Sequence, residues 1–389
     1  MTSSLSRSCL MLTRPLPLLL LLGSLTALPC VLTAATVTPF SGEPVSADSV
    51  VLSPGGVVVH DQHFALSDCD SLLLGAAQPL HDAGHSRLGV WLVDGSFLPA
   101  ESLAADPKAP NAIVITGPLG EMSLPLAKIL GWGPELLPSD DQGNDRVVVA
   151  SGPLSGQVQG IADGQLKVLS PLSPDPLSLQ VKDISSLRLA AALVKPSGII
   201  LSVVTDPDRP PLYLKPAAGL PLNCVTSIQL GEVASHLLLR VEGGRRSYLS
   251  ALTPSQVSEE GAFGVVWHWK ADTDLSGGPL RLGGVHYQHG VSVHSKCDLS
   301  WNLAGAYVRL HALLGISDLV APEGDCAVSL LGDGKSLWSR ASVKGSDHPL
   351  PIDLDLTGVT TLELKVEYGA RYDIGDHLTL ADAWLLKAH

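Results

Sequence analysis

The last third of the chain alternates apolar and polar residues with a period of two. In "PIDLDLTG", Ile352, Leu354 and Leu356 share one side, and Asp353 and Asp355 the other. "TLELKVEYG" sets Leu362, Leu364 and Val366 against Glu363, Lys365 and Glu367. "DLSWNL" groups Leu299, Trp301 and Leu303, and "YVRLHALLG" groups Val308, Leu310, Ala312 and Leu314 with Arg309 and His311 opposite. This is the signature of strands with one buried face. "CAVSLLGDGKSLWSR" places two such strands around Gly332-Asp333-Gly334-Lys335, a hairpin signal. Many antiparallel strands of this kind pack as a two-sheet sandwich.

Upstream, the pattern is shorter and repeats. Leu88 to Trp132 and Asp145 to Leu189 each run strand, Gly turn, strand, loop, strand, turn, strand. Val90 and Val147 align, so the period is near sixty residues. A third, degraded copy begins at Gly198. Such units predict small twisted sheets or half-open barrels. "GPELLPSDDQGN", rich in Pro, Gly and Asp, reads as the link between the two copies. The expected divisions are 1–35, 36–132, 145–245 and 246–389.

Composition supports the all-β reading. Only 4% of residues are aromatic, while 38 Gly and 29 Pro suit many short strands and turns. The net charge of −13 argues against a general nucleic-acid binder and against adhesion to anionic membranes. The first 35 residues carry Arg7 and Arg14, then an apolar run, then small residues at an expected cut after Ala35. That is a secretory signal, and it predicts a secreted, periplasmic or cell-envelope protein with no membrane span in the mature chain. Four cysteines follow, Cys69, Cys224, Cys297 and Cys326, none in a CxxC pair. Either free buried thiols or bonding is open to them, with Cys297 and Cys326 the pair to test first.

The residues from about 248 to 387 resemble the NPCBM family of carbohydrate-binding modules. The resemblance runs in order through "YLSALTP", a Trp followed by "GGPLRLGG", "YQHGVSVHSKCDLSWNLAGAYVRLHALLGIS", "GDCAVSLLGDGKSLW", "LPIDLDLTGVTTLELKVEYG" and "DIGDHLTLADAWL". It implies a galactose-binding-like jelly-roll sandwich and a role in holding a glycan or polysaccharide. The family tends to carry Trp before the closing Ala-Asp-Ala; here Leu380 stands there. The upstream copies resemble a β-rich repeat of exported bacterial proteins.

Sugars are held by aromatic faces and by planar polar groups that take paired hydroxyls. The candidates for this are His289, His294, Trp338, Arg371, Tyr372, Asp376 and His377. His294 alternates with Val291 and Val293 and so faces away from them. Trp301 and Trp384 lie in apolar strands and read as core, while Asp382 reads as a tie on the final strand. Trp267 and Trp269 suit either a stacking platform or domain packing. No cofactor is called for. A structural calcium has candidate oxygens in Asp272 and Asp274, or in Asp318, Glu323 and Asp325. Zinc through His286, His289 and His294 is disfavoured by their spacing on a strand. The upstream acids Asp94, Glu101, Asp163 and Asp183 are scattered, and a hydrolytic pair among them needs two acids across one bond. The short motifs of serine hydrolases, zinc proteases and phosphate loops are absent from the sequence. The reading is a non-catalytic glycan binder. Its alternatives are a structural or protein-interaction component of the cell envelope and a glycoside hydrolase or its accessory.

Overall fold

The structure is a computed structural model that describes residues 30–53, 55–75, 88–140, 142–171, 173–194, 196–206, 209–215, 223–224, 237–262 and 264–389. Most of the expected leader, with Cys9, lies outside those residues. The described chain opens on strand Cys30–Pro39, which runs through the expected cut at Ala35. A chain beginning at Thr36 keeps the pairs Thr36↔Leu73 and Val37↔Leu72 that join this strand to Cys69–Leu74. Every regular element among the described residues is a strand or a three-residue 3-10 turn.

Three units of one topology, and a fourth described in part, make up the described N-terminal residues. In the unit Asp145–Val149, Gly152–Ala162, Gln165–Leu169, Leu177–Gln180 and Ile184–Arg188, strands meander outward and the fifth returns to pair with the first. Cys30–Pro39, Val45–Ser53, Gly56–Val59, Gln62–Ala65 and Cys69–Leu74 do the same. So do the strands from Leu88–Leu92 to Ile129–Gly133, and Ile200–Val203 with its partner Leu238–Glu242. The unit at 30–74 is a copy that the sequence pattern did not reveal. Its closing strand follows a 3-10 turn, Leu66–Asp68, as do those after Leu126–Lys128 and Val181–Asp183. Units join through their closing strands: Cys69–Leu74 pairs with Leu238–Glu242, and Ile129–Gly133 with Ile184–Arg188. One core, from Ala35 to Val241, serves all four.

The C-terminal part is the expected sandwich, with its own core from Leu249 to Leu385. One sheet runs Lys270–Ala271, Gly290–His294, His377–Lys387, Tyr307–Ile316, Leu350–Asp355. The other runs Gln256–Glu259, Cys297–Asn302, Thr361–Tyr368, Asp325–Gly332, Lys335–Lys344. The chain switches sheets repeatedly and every pairing is antiparallel, a jelly-roll arrangement. The predicted hairpin turns at Asp333 and Gly334, both at positive φ (50° and 75°), the two-residue geometry that favours Asp-Gly. Leu380 faces inward, fully buried between Val291 and Leu314, so this position packs the sandwich.

Two inward assignments change. A register shift between Tyr307 and Arg309 puts Tyr307 into the sandwich core, and Val308 packs outside it. Trp384 is buried, but in the junction between the two parts rather than in the core. There its ring meets Phe40 at 5.6 Å and His311 at 5.1 Å. The guanidinium of Arg246, only 3% exposed, lies 4.9 Å from the Trp384 ring and 5.3 Å from that of Phe40, and bonds to Asp70. Arg240 donates to Asp382 at 2.8 Å, so Asp382 ties the final strand to the fourth unit.

Of the two states open to the cysteines, the structure has the free thiols. Cys297 lies opposite Val366, while Cys326 lies two residues along on the far side of the same intervening strand. Two strand spacings, roughly 10 Å, separate them, beyond disulfide reach. Both are free buried thiols, as is Cys69. The side chain of Cys224 lies outside the described residues.

Candidate functional site

Several loops gather at one end of the sandwich: 260–269, 295–296, 317–324 and 369–376. His294 ends strand Gly290–His294 and pairs directly with His377, which begins His377–Lys387. Val291, Val293, Leu378 and Leu380 fill the core, so the alternation turns both histidines to the sheet's other face. That face is covered. Hairpin Leu280–Leu282/Val285–Tyr287 lies on it so closely that a Cβ at Gly290 would stand 3.0 Å from Leu280 Cδ1. The histidines are therefore each only 7% exposed.

Trp267 roofs them. Its ring centroid lies 6.0 Å from that of His294 at 28°, and 5.1 Å from that of His377 at 53°. The two imidazoles are 5.3 Å apart, edge to face. With one face on the histidines and 40% of its surface exposed, Trp267 presents an aromatic surface to solvent. Two carboxylates hold its loop. Glu259 bonds His268 Nδ1 at 2.7 Å and accepts the Trp269 N–H at 2.5 Å. Asp373 accepts the Ala262 N–H at 2.8 Å. Val265, Val266, Tyr372 and Ile374, all exposed, extend the apolar rim along these two loops.

The polar groups divide by task. His294 Nδ1 lies 2.7 Å from the Ser295 carbonyl, to which it donates, and Nε2 is the ring nitrogen left for a ligand. Burial and the neighbouring His294 push the His377 imidazole down to about 4, partly opposed by Asp274, so it is neutral at neutral pH. Asp376 does not offer itself to a ligand. Its two oxygens accept Ser295 Oγ–H at 2.6 Å and the Asp325 N–H at 2.8 Å, and burial raises its pKa.

Of the seven sequence candidates, His294 and His377 meet, and Asp376 braces them. Arg371 and Tyr372 lie on the adjoining loop, Arg371 in an exposed ion pair with Glu323. Trp338 does not join them: it lies opposite Leu330 on the edge of the other sheet and packs on the core. His289 precedes the opposite end of strand Gly290–His294, stacked on Tyr248 at 3.8 Å and 3.4 Å from Asp272. Trp267 is the group that the candidate set omitted.

The acids considered for calcium are engaged elsewhere. Asp274 accepts Gly278 N–H and Ser276 Oγ–H, Asp272 accepts Gly290 N–H, and Asp318 accepts Gly283 and Gly284 N–H. Asp325 accepts Ser342 Oγ–H. Among the described residues no three His, Cys, Asp or Glu are grouped to hold a metal. Upstream, Asp94 caps its own turn at Ser96 N–H, Asp163 sits in a hairpin turn at positive φ, and Asp183 lies in a 3-10 turn. Among the described residues no helix is long and apolar enough to cross a membrane.

Comparison with known proteins places the C-terminal part. Residues 245–386 match the family model "NPCBM/NEW2 domain". A "Putative endo-alpha-N-acetylgalactosaminidase" of Renibacterium salmoninarum is 33% identical over 90 residues, 23% of this chain and 6% of that protein. Among solved structures, the CBM51 module of a Clostridium perfringens GH95 protein, in complex with methyl-galactose, is 20% identical with a TM-score of 0.33. It covers 36% of this chain and 99% of that one. The tandem CBM51 modules of a Streptococcus pneumoniae family 98 glycoside hydrolase are 11% identical with a TM-score of 0.33, over 91% and 88% of the two chains. The match to the NPCBM/NEW2 domain model thus falls on the C-terminal sandwich.

Proposed function

We propose that the protein acts outside the cytoplasm and binds glycan without cleaving it, at the loop end of its C-terminal sandwich. One observation carries the reading. An exposed tryptophan is fixed over two buried histidines at the loop end of a domain of a carbohydrate-binding family. Trp267 offers the flat apolar face that sugar C–H groups pack on. His294 and His377 supply hydrogen bonds beside it, and His377, neutral at neutral pH, suits an uncharged sugar hydroxyl. Export is supported by Arg7, Arg14 and the apolar run that follows them.

The test is a glycan array probed with the full chain. Binding to at least one neutral glycan is expected, with a loss of roughly tenfold or more in Trp267→Ala, the scale of an interface anchor. Trp267 is largely outside the cores, so the variant keeps its melting temperature. Folded protein that binds nothing, or a Trp267→Ala variant that binds as well as the parent, overturns the reading.

A further inference from the structure

The outer face of the five-stranded sheet carries a feature that the loop-end site does not use. A groove of about 410 Å³ crosses strands Gln256–Glu259, Cys297–Asn302 and Thr361–Tyr368. Its size is within the range of small-ligand sites. The register shows how it is built. Ser258 lies opposite Asp298, which lies opposite Lys365; one step along, Gln256 lies opposite Ser300, and Ser300 opposite Glu363. Short Ser258 and Ser300 form the floor between longer Gln256, Glu363 and Lys365. Leu299, Leu364 and Val366 alternate inward, so these polar side chains all point outward.

The composition of the groove selects its ligand. Asp298 and Glu363 accept hydrogen bonds, Lys365 donates, and Gln256 and the serines do both. Lys365 reaches Glu363 at 3.6 Å, so the one cation is already shared with a carboxylate. Asp298 lines the groove, and its Oδ1, buried, has no hydrogen-bond partner. An anionic ligand would meet two carboxylates. A flat aromatic ligand would find no ring to stack on. A polyol with neighbouring hydroxyls matches the donors and acceptors. The groove spans two strand spacings, roughly 10 Å, long enough for more than one sugar ring.

We infer that this face is a second glycan site, taking a linear neutral oligosaccharide by hydrogen bonds alone. The inference takes its ligand class from the reading of the domain as a glycan binder. The two sites lie on outer faces of opposite sheets, separated by the sandwich core, so one sugar unit cannot fill both. A longer chain, or two chains, can engage them together and gain by avidity.

The experiment uses the full chain in three forms: unaltered, Trp267→Ala, and Asp298→Asn combined with Lys365→Ala. Each is titrated calorimetrically with the neutral oligosaccharide that an array shows to bind best, and each is checked by thermal melting. The unaltered chain is expected to bind two equivalents, and either variant one. A stoichiometry of one that Trp267→Ala abolishes and the groove variant leaves intact overturns the groove site while the loop-end reading stands. A stoichiometry of one lost only in the groove variant supports the groove and overturns the loop-end reading. Absence of binding to every neutral oligosaccharide on the array overturns both.

Discussion

His377 links the site to folding. Burial holds its imidazole near pH 4, whereas in the unfolded chain it titrates near its ordinary 6.5. Between those values the unfolded chain binds the extra proton, so stability is complete above pH 6.5 and falls as pH drops toward 4. A separation of this size is worth about 3 kcal/mol over the whole window. Asp376, with its pKa raised by burial, acts in the opposite direction. Urea unfolding at pH 7 and pH 4.5 is therefore expected to show a fall about 2 kcal/mol larger in the parent than in His377→Gln. Equal falls would mean that His377 titrates freely. The cysteines give a second check. Burial pushes the Cys297 thiol up to about 12 and raises Cys326 as well. Iodoacetamide without reductant should label neither in native protein and both in urea, read by peptide mass spectrometry; peptides linked by a disulfide would refute the register. At this scale the sequence was informative where alternation governs. It turned His294 away from Val291 and Val293 as found. It could not show that Asp376 spends both oxygens on Ser295 and Asp325, because those partners come from distant loops.

Strands were the most readable elements, since Leu362, Leu364 and Val366 declare their face locally. Elements set by distant contacts were not. "VVWHW" has the look of a strand, yet 265–269 is a loop, held by Glu259 before it and by the long-range tie of Asp373 to Ala262. The missed first unit left a trace. "ALSDC", "PLAKI" and "QVKDI" share one word, an apolar residue three places before the closing strand's first apolar position, and each folds as a 3-10 turn. The covering hairpin is likewise legible only through glycine. Gly290 and Gly315 leave room for Leu280 and Leu282 on the sheet, and a Cβ at Gly290 would also stand 2.6 Å from the Leu380 carbonyl. Gly290→Val is expected to cost about 2 kcal/mol or more through overpacking. It should also lift the hairpin, which limited proteolysis would report as new cleavage within 272–288. Unchanged melting and protection would show that the hairpin does not depend on this contact.

The described residues form two main cores joined at a polar-aromatic junction, with a further bond from Gln288 Nε2 to the Arg209 carbonyl, and this arrangement decides how the molecule unfolds. The N-terminal core ends at Val241 and the sandwich core begins at Leu249, with Arg245 and Arg246 between them. Arg246 is buried, bonded to Asp70 of the first unit and set against Phe40 and Trp384, one ring from each side. A buried guanidinium is expensive to keep; here one carboxylate and two aromatic faces offset part of that cost, while Nε and Nη1 have no hydrogen-bond partner. Arg245 adds a bond to Asp68 at 3.2 Å, and Arg240 reaches Asp382 from the fourth unit. None of these pairs is near in sequence, which is why the alternation predicted the two parts but not their union. A junction this buried makes the parts unfold together in scanning calorimetry. Removing its aromatic anchor by Phe40→Ala should cost about 3 kcal/mol. Combining that change with Arg246→Ala should separate the melting into two transitions, one for each core. Glycan at saturating concentration should then raise only the sandwich transition, because ligand stabilises the part that binds it. A double variant that still melts in one transition would show that the cores are coupled by something other than this junction.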